Sequence, residues 1–114
     1  MELIYKIVPK DLWREAEKIG AFAGAPVDRN DGFIHLSTAA QVRATAAKHF
    51  AGQSDLLLVG VDPRKLGGNL RFERSRDGAL FPHLYAPLET AAVSFARPLP
   101  LDADGAHCFQ DLIP

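Results

Sequence analysis

The chain has 114 residues, of which 47% are hydrophobic and 24% charged, and its formal net charge is −1 with a pI near 6.4. That balance excludes a disordered chain, and the near-neutral charge argues against nucleic acid or an anionic membrane as the partner. The length suits one domain over residues 1–114, large enough to bury roughly two thirds of its unfolded surface.

Leu3 to Val8 is a short apolar run carrying Tyr5 and Lys6, read as a first strand that Pro9 ends. From Lys10 to Ile19, Leu12, Ala16 and Ile19 recur at helical spacing with Trp13 beside them. Asp11 and Glu15 lie toward the start, Lys18 lies in the last turn, and Gly20 is placed to close the helix. Ala21 to Asp31 shows no sustained period and reads as a loop, with Arg29 and Asp31 at the mouth of whatever site follows.

Gly32-Phe33-Ile34-His35-Leu36-Ser37-Thr38 reads as a strand running directly into a helix. Side chains alternate along a strand, which sends Ile34 and Leu36 to the core and Phe33, His35 and Ser37 to the other face. The helix is predicted over Thr38–Phe50, capped by Thr38 and Gln41, with Val42, Ala46 and His49 or Phe50 inward. Leu56-Leu57-Leu58-Val59 has the continuous apolar character of a central strand. Pro63 starts a turn, and Asn69–Arg74 alternates, with Leu70 and Phe72 inward and Asn69, Arg71 and Glu73 outward. Ser75 to Gly78 reads as a further turn. In the segment Phe81–Tyr85, His83 and Tyr85 share a face; Ala91–Phe95 is a last strand bounded by Pro98 and Pro100; and Phe109–Ile113 is an apolar tail placed to dock. The whole is an α+β domain with two main helices.

Two constellations carry chemistry. His35, Ser37 and Thr38 precede a predicted helix start, whose free N–H groups suit a phosphate or carboxylate, while the imidazole and serine suit a ribose hydroxyl. The plainer alternative is a helix cap beside a hydrogen-bonded histidine. Glu73 with His83 and Tyr85 offers a carboxylate near an imidazole, the equipment of acid–base catalysis. His35, His49, His83 and Glu73 lack the local spacing of a zinc enzyme, so no metal is expected, and the single Cys108 excludes an internal disulfide. The N-terminus lacks the pattern of a signal peptide and no apolar run spans a bilayer, so the expected location is cytoplasmic.

The Gly-Phe-Ile-His-Leu-Ser-Thr stretch with Gln41-Val42, Arg71-Phe72-Glu73 and Phe81-Pro82-His83-Leu84-Tyr85 resembles the family catalogued as domain of unknown function 952. That family is grouped by fold with the ADP-ribosyltransferases, which bind NAD in the cleft of a split antiparallel sheet. The resemblance implies that His35 holds the adenosine-side ribose of NAD, with Ser37 and Thr38 beside it. It further implies that Tyr85 stacks on nicotinamide and that Glu73 polarises the ribose, with His83 near the reacting end. The expected ligand is a small, nucleotide-like molecule, either a substrate of a transferase-like enzyme or the guest of a non-catalytic binding module.

Overall fold

The structure, a computed structural model, describes residues 2–75 and 78–114. The chain runs β1 (Ile4–Pro9), α1 (Lys10–Ile19), β2 (Ala21–Phe22), α2 (Pro26–Asp31), β3 (Ile34–His35), β4 (Ser37–Thr38) and α3 (Val42–His49). There follow β5 (Leu56–Val61), β6 (Leu70–Arg74), β7 (Leu80–Leu84), β8 (Leu88–Glu89) and β9 (Val93–Leu99). All strand pairings are antiparallel, and the strands form a four-stranded sheet β4-β1-β5-β9, a three-stranded sheet β3-β7-β6 and the pair β2-β8. The α+β expectation stands.

The antiparallel pair β1 and β5 forms the centre. All six residues of β5 are buried, as its continuous apolar run requires of a strand covered on both faces. One face packs Ile4, Val8, Leu57, Val59 and Val61 with Trp13, Phe22, Leu36 and Leu84. The other packs Tyr5, Ile7, Leu56 and Leu58 with Val42 and Ala46 of α3 and with Phe109 of the tail. The tail therefore docks as its apolar residues suggest, with Leu112 and Ile113 against the same cluster.

Several boundaries differ from the sequence reading, each for a physical reason. α1 ends as expected at Gly20, whose φ of 95° suits a residue without Cβ and whose N–H bonds Ala16 O. Its buried face is Trp13 and Ala16, with Leu12 and Ile19 exposed, because the indole offers more area to bury than either aliphatic chain. The stretch expected as a loop contains β2 and α2; α2 has only six residues, less than two turns, too few to display a helical period. Pro26 opens it with a pre-set φ and Gly32 closes it in the left-handed region.

The strand expected to run directly into a helix at Thr38 is broken at Leu36 into β3 and β4, which join different sheets, and α3 starts only at Val42. Thr38 pairs with Ile4 in β4, so it is a strand residue with no side-chain cap on the helix. Of the expected capping pair, one bond exists: the Thr38 N–H donates to Gln41 Oε1 at 3.1 Å. His49 is exposed, while Phe50 packs partly inward. Phe72 is 52% exposed: β6 is an edge strand, and only the Leu70 end of its apolar face reaches the core. β9 continues through Pro98 because it too is an edge strand, where a missing N–H costs no ladder bond. Of the turn expected at Ser75–Gly78, Arg76 and Asp77 lie outside the described residues.

Candidate functional site

β3 and β7 place His35 and His83 directly opposite one another in register. Their ring centroids are 5.7 Å apart at an interplanar angle of 73°. Phe33 lies against both, at 4.6 Å from His35 and 4.1 Å from His83, and also against Tyr85 at 5.2 Å. The alternation predicted for 33–37 thus holds: Ile34 and Leu36 enter the core while the rings gather on the opposite face.

Each histidine is held through Nδ1 by a carboxylate. His35 Nδ1 lies 2.6 Å from Asp28 Oδ1, and its backbone N–H donates to the same oxygen at 3.1 Å. His83 Nδ1 lies 2.9 Å from Glu73 Oε1, which also accepts the Tyr85 hydroxyl at 2.6 Å. The Tyr85 and then the His83 hydrogen bonds hold the Glu73 carboxyl below its usual range, and the Glu73 bond pushes the Tyr85 phenol up. Arg71 stands over the Tyr85 ring at 5.4 Å. The two histidines differ at the second nitrogen: His35 Nε2 is 2.9 Å from Asp31 Oδ2. His83 Nε2 has no hydrogen-bond partner among the described residues, although the residue is only 6% exposed.

Asp28 is the residue of this histidine cluster that sequence reasoning missed. It is 1% exposed and accepts from Lys6 Nζ at 3.0 Å, from the Ala25 N–H at 2.8 Å and from both His35 donors. Burial alone would raise its pKa, but the His35 side chain, the Lys6 ammonium and the two backbone N–H groups outweigh it and set the value at about 2. Lys6 is itself buried, which pushes its pKa down against the pull of Asp28. Two signals in the sequence point here: a lysine inside an apolar strand needs a buried acid, and Pro26 with Asp28 two positions later fits a helix start.

A depressed folded-state pKa stabilises the fold above the unfolded value, and that contribution disappears as pH falls through the folded value. For Asp28 the interval runs from the ordinary 3.8 down to about 2. Denaturation midpoints followed from pH 5 to pH 2 should therefore fall, and the Asp28→Asn variant should show a shallower slope over that interval. An unchanged slope in the variant would remove Asp28 from the account of acid stability.

Beside the paired histidines is a cavity of about 350 Å³ between α3 and β7. His35, Ser37, Gln41, Thr45, Lys48, His49, Phe81 and His83 are among its lining residues, and no carboxylate is among the described ones. Ser37 Oγ is 3.0 Å from Thr45 Oγ1, and Gln41 Nε2 donates to Leu80 O at 2.7 Å, which ties the start of α3 to β7. The predicted residues therefore divide three ways. His35, Ser37 and His83 share this cavity; Glu73 and Tyr85 stand behind His83 and do not line it; and Thr38 lines a separate cavity with Leu70 and Phe72. Lys48 lines it as well, and so does His49, which the sequence reading places as a candidate for the inward stripe of the helix.

The model of the family described as protein of unknown function (DUF952) matches residues 7–96. The chain belongs to the DUF952 family. Among solved structures, the crystal structure of protein CC0527 from Caulobacter crescentus shares 48% sequence identity and a TM-score of 0.92, over 96% of each chain. The solution NMR structure of CC0527 gives 48% identity and a TM-score of 0.88, over 99% of this chain and 97% of that one. No curated protein matches the chain. The DUF952 match spans α1 through most of β9 and so includes every residue of the histidine cluster. No helix among the described residues is long and apolar enough to cross a membrane.

Proposed function

We propose that this DUF952 protein binds a small anionic, nucleotide-like ligand in the cavity beside His35 and His83. The observation that carries the reading is the lining itself. In a chain of net charge −1, the cavity brings together Lys48 and three imidazoles, with hydroxyl and amide groups from Ser37, Thr45 and Gln41 and no described carboxylate. Such a surface supplies donors and positive charge to a phosphate, and Phe81 adds an aromatic face for a base. The volume lies at the small end of ligand sites, which favours a mononucleotide or one half of a dinucleotide such as NAD.

The kinship in fold with ADP-ribosyltransferases is part of this proposal, with His35 and Ser37 on the ribose and phosphate side. Glu73 supports binding better than ribosyl transfer, because its carboxylate is committed to His83 and Tyr85 outside the cavity lining. Calorimetry with AMP, NAD and inorganic phosphate tests the reading. AMP should bind, and Lys48→Ala, a change on the exposed side of α3, should weaken it about tenfold, the loss of one charge-assisted hydrogen bond. If none of the three ligands binds the unmodified chain, the reading fails.

A further inference from the structure

We infer that the His35–His83 pair is an acid–base couple that cleaves a small cyclic phosphodiester, a step that rests on the anionic-ligand reading above. The two rings face one cavity from paired positions on adjacent strands, each locked at Nδ1 by a carboxylate. A ring fixed this way has its remaining nitrogen aimed by the fold. What distinguishes them is the partner of that nitrogen. His35 faces Asp28 at one nitrogen and Asp31 at the other, and it can donate to both only with a hydrogen on each. In the neutral tautomer that gives its Nδ1 hydrogen to Glu73, His83 carries a lone pair on Nε2, and that atom has no partner among the described residues. That nitrogen retains contact with solvent, because Trp13 Nε1 is the buried side-chain atom without a partner among those described. One ring is set as a proton donor and its neighbour as a proton acceptor.

A phosphodiester needs both. Its attacking water must lose a proton and its leaving alkoxide must gain one, whereas a bound phosphate monoester needs neither. Water attacks phosphorus while His83 Nε2 takes its proton, and a new P–O bond forms. The P–O bond to the leaving oxygen breaks, its electron pair stays on that oxygen, and His35 Nε2 supplies the proton. One water is consumed, the ring of the cyclic ester opens to a monoester and an alcohol on the same molecule, and solvent restores the two imidazoles. For this the leaving oxygen takes the place of Asp31 Oδ2, whose side chain is 40% exposed at the end of α2. Lys48 and His49 line the same cavity and answer the phosphoryl charge. His35 and His83 are the catalytic residues in this scheme, and Asp28 and Glu73 are positioning residues.

The test follows 2′,3′-cyclic AMP and 3′,5′-cyclic AMP by phosphorus NMR with the full chain, alongside calorimetry with AMP. His83→Asn and His35→Asn are the informative variants, since the asparagine amide can replace Nδ1–H toward Glu73 or Asp28 while removing Nε2. The unmodified chain should open at least one cyclic ester, and each variant should lower the rate a hundredfold or more, whereas AMP affinity should fall by about tenfold at most, the loss of one charge-assisted hydrogen bond. AMP binding without turnover overturns the couple and leaves the binding reading standing. Neither binding nor turnover overturns both. Turnover that survives in both variants assigns the chemistry elsewhere and overturns the couple. Melting curves of each variant identify any that fails to fold, and for that position His→Gln replaces it.

Discussion

Asp28→Ala should cost the fold about 3–5 kcal/mol, the penalty for removing one partner of a buried ion pair. Lys6 would be left buried with its ammonium uncompensated, and the Ala25 and His35 backbone N–H groups would each lose an acceptor. The same change releases His35 Nδ1, so α2 and β3 lose their shared anchor. Urea denaturation measures the loss, and the double variant Lys6→Met/Asp28→Ala should recover part of it, because it removes the stranded charge. A loss below about 1 kcal/mol in the single variant would show that the pair is not buried as described.

Leu84→Ala should cost about 2–5 kcal/mol, the range for truncating a buried leucine where the surroundings relax only partly. Leu84 is 1% exposed and pairs with Ile34 on one side and Leu70 on the other. It also stands between His83 and Tyr85, whose side chains take the opposite face. The core therefore holds the strand that presents His83, and truncation should lower stability and loosen the histidine pair together. Denaturant midpoints give the first effect, and the spread of the His35 and His83 ring proton signals gives the second. Loss of stability with unchanged ring signals would show that the site is not seated on this part of the core.

What could be read in advance follows from the range of the forces involved. The strand Leu56–Val61 and the helix Lys10–Ile19 announce themselves because their signal is local: a continuous apolar run and a helical stripe closed by glycine. The alternation of Phe33–Ser37 is equally local, and it correctly separated the core face from the polar face. The failures involve partners distant in the chain. Asp28 acquires its role from Lys6, 22 residues away, and no periodicity marks that pairing. Phe72 obeys its alternation, yet whether that face is covered depends on a sheet ending at β6. Residue types point to Glu73 working with His83 and Tyr85, but their position behind the ring is a property of the β6–β7 register.

The break at Leu36 has a mechanical meaning. On its two sides, within five residues, the chain pairs first with β7 and then with β1, and the Leu36 N–H bonds Pro82 O at the crossing. His35 and Ser37 are thus stitched to separate sheets by a seam one residue wide. A catalytic group on a surface loop can drift while its scaffold stays intact; here the two side chains can part only if the sheets themselves slide. The spacing between His35 and Ser37 is accordingly as stiff as the junction of the two sheets, and any ligand seated against both must fit that gauge rather than mould it.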